Sequence, residues 1–278
     1  MKEFHPRKIA MINSFAGYGR CSLTVALPVL SAMKVQCCPV PTSILSNHTG
    51  FPVYSFEDYT EKIPKYLDTW EKLGVQFDGI VSGFLGSKAQ IAMVAEMAER
   101  FLLPGGKVIV DPVMGDGGRR YATYTKEMCE AMRRLVAIAD VTTPNLTEAC
   151  ILAGREWKET GWKKSELLEL AQAIQKLGAK DVVITGIPQG EYFANLILQG
   201  EEVSFCRTKK AGGAHHGTGD IFTSIVAACT VRQIPLTRAV RIGAGFVKDC
   251  IRLSEEAGIS EAEGVCFEQL LGKLTRIA

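Results

Sequence analysis

The chain has 278 residues, of which 47% are hydrophobic, and its formal net charge is only +2. This length predicts a single α/β domain over residues 1–278 with a sizeable core, and the weak charge argues against a nucleic-acid-binding protein. The nine cysteines include no C-x-x-C pair, and the apolar stretch after the polar start is too short for a secretory signal, so we expect a reduced, cytoplasmic protein.

Strands and helices alternate through the first half of the chain, as its runs of apolar residues indicate. The predicted strands cover residues 8–13, 35–43, 77–82 and 107–110, and the predicted helices cover 22–33, 56–73 and 88–102. Residues 14–19 are expected to form a loop after the first strand. Polar or glycine-containing segments follow the strands, which is where the carboxyl end of a strand meets solvent.

The second half continues the same alternation. Helices are predicted over 126–138, 145–153 and 164–177, strands over 139–143 and 181–185, and an antiparallel pair over 192–198 and 202–205. Two long helices, divided at Pro235, and a short terminal one follow Gly217. This order predicts an α/β fold with a central, mostly parallel sheet and helices on both faces. Ligands of such sheets bind at the carboxyl ends of the strands.

Residues 211–222 carry the strongest chemical signal, with the sequence A-G-G-A-H-H-G-T-G-D-I-F. Gly217, Thr218 and Gly219 precede a predicted helix, whose unpaired N–H groups and dipole favour a bound phosphate. Asp220 would lie in the first turn of that helix, where it could accept the proton of a hydroxyl group during phosphoryl transfer. The alternative is an N-capped turn in which the helix dipole favours an aspartate.

Three acidic residues follow predicted strands or begin a helix near the same edge of the sheet. They are Asp111, Asp116 and Glu148. Mg²⁺ in nucleotide sites is held by one or two carboxylates together with phosphate and water, which suits such a spread set. The alternative for the two aspartates is a tight turn that they cap, and for Glu148 a solvated helix face.

Aromatic rings and histidines also lie at strand ends. Phe84, between two glycines, could stack on a flat ring or belong to the core. His48 could take part in catalysis, form a turn hydrogen bond or pack as a ring, and His215 and His216 could touch phosphate or remain solvated. The chain contains no G-K-[ST] segment and only half of a dinucleotide fingerprint, so any kinase activity belongs to another type.

In these motifs and in their order, the chain resembles the vitamin B6 kinases of the ribokinase superfamily over almost its full length. The matching motifs are I-N-S with Y-G at 12–14 and 18–19, V-P-T with S-N-H-T-G at 40–42 and 46–50, G-F-L-G at 83–86, D-P-V-M-G-D at 111–116, T-P-N-L-T-E at 143–148, T-G at 185–186 and G-T-G-D at 217–220. The resemblance implies a ribokinase-like three-layer sandwich and a homodimer.

The resemblance also implies a role for each matching residue. Asp220 would be the base, and the N–H groups of Gly217, Thr218 and Gly219 would form an anion hole. Ser14 and Thr42 would bind the polar atoms of the substrate ring, Phe84 would stack on it, and Tyr18 and His48 would complete the substrate side. Asp111, Thr143 and Glu148 would organise the cations, while Asn145, Thr185, Gly186, Asp116 and Gly219 would contact ATP.

We therefore expect an ATP- and Mg²⁺-dependent kinase, with K⁺ or Na⁺ as a further cation, that phosphorylates the 5′-hydroxymethyl group of pyridoxal, pyridoxamine or pyridoxine. Two departures bear on the substrate: Phe84 stands where relatives usually carry Tyr, and the first substrate loop lacks their His. The hydroxymethylpyrimidine kinases of thiamine synthesis share His-Gly-Thr-Gly, which keeps them as an alternative through His216, but usually continue with Cys instead of Asp220. A binding protein without turnover is the third possibility.

Overall fold

A computed structural model of the protein describes residues 5–277. The strands are β1 Lys8–Tyr18, β2 Gln36–Asn47, β3 Phe56–Asp58, β4 Phe77–Ser82, β5 Leu102–Val110, β6 Gly115–Asp116, β7 Arg119–Arg120, β8 Val141–Thr142, β9 Asp181–Gln189, β10 Tyr192–Gln199 and β11 Glu202–Lys209. The α-helices are α1 Ser22–Ala32, α2 Ile63–Lys72, α3 Lys88–Phe101, α4 Lys126–Val136, α5 Leu146–Ala153, α6 Lys164–Gln175, α7 Thr218–Val231, α8 Leu236–Glu256 and α9 Leu271–Leu274.

Nine of the strands form one sheet in the order β11-β10-β9-β8-β5-β4-β1-β2-β3. The pairs from β9 to β2 are parallel, whereas β10 and β11 at one edge and β3 at the other are antiparallel to their neighbours. The remaining strands, β6 and β7, form a separate hairpin. The predicted mostly parallel sheet and the antiparallel pair at its edge are confirmed.

Alternate residues of the central strands belong to two different hydrophobic clusters. Ile9 and Met11 pack with α1, α7 and α8, while Ala10 and Ile12 pack with α2, α3 and α4. Side chains of a strand point alternately to opposite faces, so the clusters lie on the two sides of the sheet. The predicted three-layer arrangement, with helices on both faces, is therefore confirmed.

Two sequence predictions about local structure are wrong. The expected loop at 14–19 instead continues β1 as far as Tyr18, because this segment pairs with a β2 that extends to Asn47. The expected helix over 56–73 begins only at Ile63, since residues 56–58 form β3 against β2. Pro64 lies in the first turn of this helix, where backbone N–H groups have no intrahelical acceptor. Proline, which lacks an N–H, is therefore favoured at such a start.

The carboxyl ends of the central strands meet at one edge of the sheet. Gly83 N–H donates to the Ile12 carbonyl at 2.8 Å, and Asp111 N–H donates to the Ser82 carbonyl at 3.0 Å. Thr143 N–H donates to the Val110 carbonyl at 3.1 Å in the same way. This row of hydrogen bonds brings several sequence motifs into contact.

None of the helices in the described residues has the length and apolar character needed to span a membrane.

Candidate active site

Gly217 precedes α7 at a position that only glycine can occupy without displacement of the backbone. Its φ is +80°, in the left-handed region, and a Cβ atom there would lie 2.0 Å from the carbonyl oxygen of Arg20. Glycine avoids both the strain and the collision. The following residues therefore start the helix close to the loop between β1 and α1, with their first N–H groups free of intrahelical acceptors.

Asp220 lies in the first turn of α7, and both of its carboxylate oxygens accept hydrogen bonds. Asn13 Nδ2, from β1, donates to Oδ1 at 3.0 Å, and the Ser22 N–H, at the start of α1, donates to Oδ2 at 2.8 Å. Burial raises the pKa of Asp220 above its ordinary value, whereas these two donors act in the opposite direction. The carboxylate is thus held from two directions by neutral groups.

Thr218 and Gly219 separate Asp220 from the glycine turn. The Thr218 hydroxyl donates to the His215 carbonyl at 3.2 Å, so this side chain closes the loop. Gly219 is exposed, and a Cβ atom on it would lie 3.9 Å from Asp111 Oδ2. The backbone of Gly219 therefore lies beside the end of β5, between two of the predicted chemical groups.

Asp111, at the end of β5, is buried and has one side-chain donor. Thr223 Oγ1, one helical turn after Asp220, lies 3.1 Å from Asp111 Oδ2, and it also lies 3.0 Å from Thr143 Oγ1. Burial and then the negative charge of Asp220 raise the pKa of Asp111 to about 7, although the Thr223 hydroxyl acts in the opposite direction. The structure thus brings together Asp111 after β5, Thr143 after β8 and Asp220 in α7.

Glu148 is buried in the first turn of α5, where it forms a capping box with Asn145. Its Oε2 accepts from the Asn145 N–H at 2.8 Å, while Asn145 Oδ1 accepts from the Glu148 N–H at 2.9 Å. Its Oε1 accepts from the Met114 N–H at 3.1 Å. Burial, and then the charge of Asp111, raise the pKa of Glu148 well above its ordinary value.

These three acids share an electrostatic deficit, by which we mean that they lack a positively charged partner among the described residues. Among the described residues, none of Asp111, Glu148 and Asp220 forms an ion pair with lysine, arginine or histidine. Buried carboxylates without a positive partner are costly to ionise, which is why their pKa values rise. A cation at this edge of the sheet would relieve the deficit.

The acids at this edge fit a Mg²⁺ ion that takes only part of its ligands from the protein. Carboxylate oxygens are the ligands this ion prefers, and Asp111 and Glu148 supply them. In the described range, no group of three or more acidic, histidine or cysteine side chains is close enough to form a cage alone. The donor set therefore suits an ion that keeps its waters and binds nucleotide phosphates as well.

On the other side of Asp220, neutral polar groups contact each other. Ser14 Oγ lies 2.9 Å from Ser22 Oγ, and the Thr42 hydroxyl donates to the Phe84 carbonyl at 3.1 Å. Phe84 is partly buried and makes an edge contact with Tyr124 at 6.4 Å between ring centroids. The structure thus gathers all three residues predicted to bind the substrate ring: Ser14 lies within β1, Thr42 within β2 and Phe84 just after β4.

His48 lies in an aromatic stack after β2. Its ring centroid is 4.2 Å from that of His216 and 4.7 Å from that of Phe51, which in turn lies 5.5 Å from Tyr18. His48 Nε2 lies 2.6 Å from the Ala262 carbonyl, and Nδ1 accepts from the Gly50 N–H at 3.1 Å. These contacts use Nε2 as a donor and Nδ1 as an acceptor. Tyr18 is 56% exposed.

The predicted nucleotide residues lie at neighbouring positions but differ in exposure. Asn145, after β8, and Thr185, within β9, form a backbone bridge, and the exposed Gly186 has a φ of +66°. Asp116 lies in the β6–β7 hairpin, where it is exposed and accepts from the Gly117 N–H at 2.7 Å. Asp116 is therefore exposed whereas Asp111 and Glu148 are buried, but its charge, after burial and the charge of Asp111, still raises the pKa of Glu148.

Three residues at the site were missed from the sequence. Asn13 and Ser22 hold Asp220, and Thr223 bridges Asp111 and Thr143. Helical spacing from Asp220 would have indicated Thr223, because residues three apart share a helix face. Asn13 immediately precedes a predicted substrate residue, but neither its contact nor the left-handed φ of +53° at Ser22 has a local sequence signal.

Comparison with protein-family models gives one match, to phosphomethylpyrimidine kinase over residues 26–265. Among solved structures, a Bacteroides thetaiotaomicron protein named as a phosphomethylpyrimidine kinase is 35% identical, with a TM-score of 0.95 over 100% of this chain and 97% of that one. A second crystal form of that protein, with pyridoxal, is 36% identical with a TM-score of 0.90, over 97% of this chain and 96% of that one.

Curated relatives carry both names that the sequence suggested. A pyridoxal kinase PdxY from Deinococcus radiodurans is 26% identical over 95% of this chain and 92% of its own length. A hydroxymethylpyrimidine/phosphomethylpyrimidine kinase from Aquifex aeolicus is 27% identical over 90% of both chains. The similarity therefore extends over almost the whole chain in each case, and it includes kinases of a pyridine and of a pyrimidine.

Proposed function

The chain belongs to the phosphomethylpyrimidine kinase family, and from this membership we propose that it transfers the γ-phosphoryl group of ATP to the 5′-hydroxymethyl group of a vitamin B6 vitamer. The vitamers concerned are pyridoxal, pyridoxamine and pyridoxine. The observation that carries the proposal is the position of Asp220, a carboxylate held by Asn13 and Ser22 within the first turn of a helix that follows a glycine turn.

The proposed reaction needs a base and an anion site side by side, and α7 offers both. Asp220 accepts the proton of the substrate's hydroxyl group while the oxygen of that hydroxyl attacks the γ-phosphorus of ATP. The N–H groups at the start of α7, approached through Gly217 and Gly219, hold the charge on the phosphoryl oxygens. The pKa of Asp220, raised by burial, keeps this base closer to the pH at which it works.

The acids beside Asp220 give the proposed cation site. Asp111 and Glu148 would hold Mg²⁺, directly or through water, and Thr143 would orient Asp111 through Thr223. When bound with ATP, the ion neutralises phosphate charge. Asn145, Thr185 and Gly186 lie farther along the same edge, and we propose that they contact the phosphates of ATP together with Asp116 of the β6–β7 hairpin. A monovalent cation, K⁺ or Na⁺, belongs to the same proposal.

The substrate side favours a flat, neutral heterocycle. Ser14 and Thr42 supply hydroxyl groups, Phe84 supplies a ring face or edge, and His48 with Tyr18 borders the opening. A relative that is 36% identical has been crystallised with pyridoxal, which supports a pyridine ring as the substrate. The second candidate is hydroxymethylpyrimidine, which the family name and the Aquifex relative favour. We further propose a homodimer, which analytical ultracentrifugation would test.

The proposal is tested by Mg-ATP-dependent ADP release with pyridoxal, pyridoxamine, pyridoxine and 4-amino-5-hydroxymethyl-2-methylpyrimidine in parallel, with Asp220→Ala as the blank. We expect the highest kcat/KM on one of the three pyridines. Turnover confined to the pyrimidine would contradict the choice of substrate while preserving the mechanism. A lack of ADP release with all four alcohols would contradict the proposed function, and binding of ATP without turnover would then identify a binding protein.

A further inference from the structure

Asn13 is a fully buried amide at the centre of the candidate site, and its side chain hydrogen-bonds to Asp220 and to the backbone of Ser14 and Phe84. Its exposure is 0%. Oδ1 accepts from the Ser14 N–H at 2.8 Å and from the Phe84 N–H at 3.0 Å, while Nδ2 donates to Asp220 Oδ1 at 3.0 Å. One side chain thus connects the ends of β1 and β4 with the first turn of α7.

The orientation of this amide is determined by its surroundings. Two backbone N–H groups, which can only donate, face one end of the Asn13 side chain, so that end must be the oxygen. The nitrogen therefore faces Asp220. The space is also closed on this side, because a Cβ atom at Gly83 would lie 2.2 Å from Nδ2. Rotation or exchange of the two amide atoms would leave three buried groups without partners.

We infer that Asn13 is a positioning residue that sets the distance between the substrate ring and its base. Its Oδ1 fixes the backbone of Phe84, the ring that faces the substrate, and its Nδ2 fixes the carboxylate of Asp220. Phosphoryl transfer depends on the placement of the attacking hydroxyl to within a fraction of an ångström. A group that connects the stacking ring and the base directly controls this placement.

This inference rests on the proposed kinase function. The substitution Asn13→Asp tests the hydrogen bond from Asn13 Nδ2 to Asp220 Oδ1 separately from the other contacts. The substitution keeps the shape of the side chain and an oxygen for the Ser14 and Phe84 N–H groups, but its other oxygen faces Asp220 without a fixed hydrogen. At pH 8, we expect kcat to fall about 10- to 100-fold, the scale of a misplaced catalytic contact. We expect the KM of the vitamer to change by less than about threefold, because the Phe84 backbone stays in place.

The pH dependence separates positioning from a merely structural role. The introduced carboxyl can still donate to Asp220 when it is protonated, and two adjacent carboxylates raise the pKa of the pair. The ratio of variant to wild-type kcat should therefore increase as the pH is lowered from about 8.5 to about 6. The titratable groups that face Asp220 from other elements are Cys21, His48, Asp111 and Tyr121, and their effects are common to both proteins in this ratio.

Gln199→Glu is the matched control at the opposite end of the sheet. Gln199 Nε2 donates to Asp181 Oδ2 at 3.1 Å, so this substitution also places a new carboxyl beside an aspartate. Its kcat should stay within twofold of wild type at every pH. In the absence of nucleotide, both variants should lose thermal stability relative to wild type as the pH rises, because each adjacent carboxylate pair has a raised pKa that favours the folded state only when protonated.

The outcomes distinguish this inference from the proposed function. If wild type releases no ADP with any of the four alcohols, the function itself is contradicted. If wild type is active, a pH-independent ratio for Asn13→Asp, or a kcat close to wild type, overturns the positioning role alone. Asn13→Ala, which lacks both the donor and any titrating group, should show a lowered kcat with a ratio that does not increase as the pH is lowered, because loss of the donor only raises the pKa of Asp220.

Discussion

The two sides of Asp220 differ in how their polar groups are satisfied. On the substrate side, Asn13, Ser14 and Thr42 are neutral and hydrogen-bond to groups of the protein. On the other side, Asp111 and Glu148 are buried acids whose donors among the described residues are all neutral. The substrate side therefore has its polar groups paired within the protein, whereas we propose that Mg²⁺ supplies the positive charge that the acidic side lacks. We expect mutations on the two sides to differ in their dependence on pH and on Mg²⁺.

The largest expected effect lies at the boundary between the two sides. Asp220→Asn removes the proposed base but keeps the side-chain shape, and we expect kcat to fall about 10²-fold or more, the usual scale for a positioned base. The measurement is single-turnover phosphorylation of the preferred vitamer at saturating Mg-ATP. Asp181→Asn, at the other end of the sheet, is the control and should retain wild-type turnover. Near-wild-type turnover in Asp220→Asn would contradict its role.

Gly217→Ala tests how far the anion site depends on the glycine turn. The new Cβ would meet the Arg20 carbonyl at 2.0 Å in a backbone with a φ of +80°. We expect about 3 kcal/mol of destabilisation, from collision and strain together, and a raised KM for ATP. Gly74→Ala is the matched control, because Gly74 has a φ of +62° but no atom within 4 Å of the new Cβ.

The control separates the two contributions. Gly74→Ala carries only the strain of a left-handed alanine, about 1 kcal/mol, and should leave the KM for ATP unchanged. Urea unfolding of both variants gives the free energies of unfolding. Equal losses in the two variants would show that contact with Arg20 is unimportant for the loop that precedes α7.

Asp111→Asn tests the electrostatic deficit directly. Burial, together with the charge of Asp220, raises the pKa of Asp111 to about 7 in the folded protein. A raised pKa means that this group's contribution to stability is fully present at acidic pH, below its unfolded pKa near 4, and is lost as the pH rises through about 7. At pH 8 without Mg²⁺, the variant should therefore be more stable than wild type by about 1–3 kcal/mol, with little difference at pH 4.

Mg²⁺ should reverse this difference, because a bound cation favours the ionised carboxylate of the wild type. Urea unfolding at pH 4 and pH 8, with and without Mg²⁺, provides the measurement. Ser14→Ala is the control on the substrate side, and its effect on stability should be the same at both pH values and in both media. A variant that is less stable than wild type at pH 8 without Mg²⁺ would contradict the inference that ionised Asp111 destabilises the folded protein.

Local patterns in the sequence were sufficient for the order of strands and helices and for the grouping of the motifs. Carboxyl ends of parallel strands share one edge of a sheet, so Asp111, Asp116 and Glu148 were predicted to lie near one edge, and in the structure burial and then the charges of both aspartates raise the pKa of Glu148. The extension of β1 to Tyr18 could not be predicted, because it depends on pairing with β2. The predicted start of the helix over 56–73 was wrong for the same reason, since its first residues pair with β2 as β3.

The contacts of Asp220 show a further limit of the sequence. Asn13 is 207 residues away along the chain and Ser22 is 198 residues away, so nothing in the local pattern indicates that they donate to this carboxylate. The glycines around Asp220 were recognisable because their backbone requirement is local. Contacts between side chains follow from the packing of β1, α1 and α7, which the sequence fixes only through the whole fold.

The smallest expected effect concerns the hydroxyl that connects the two sides. Thr223→Val has nearly the same shape but removes the donor to Asp111 Oδ2 and the contact with Thr143. Without that donor the ionised form of Asp111 is less favourable, so the concentration of Mg²⁺ needed for half-maximal activity should increase about 10-fold, as for other outer-shell ligands of a metal.

Thr142→Val provides the matched control, because Thr142 is equally buried but its hydroxyl donates to the Val110 carbonyl at 2.9 Å. Its Mg²⁺ dependence should match that of wild type, and the vitamer KM should be unchanged in both variants. A Thr223→Val protein with wild-type Mg²⁺ dependence but a raised vitamer KM would assign Thr223 to the substrate side. The boundary between the two sides would then lie at Asp111 instead of Asp220.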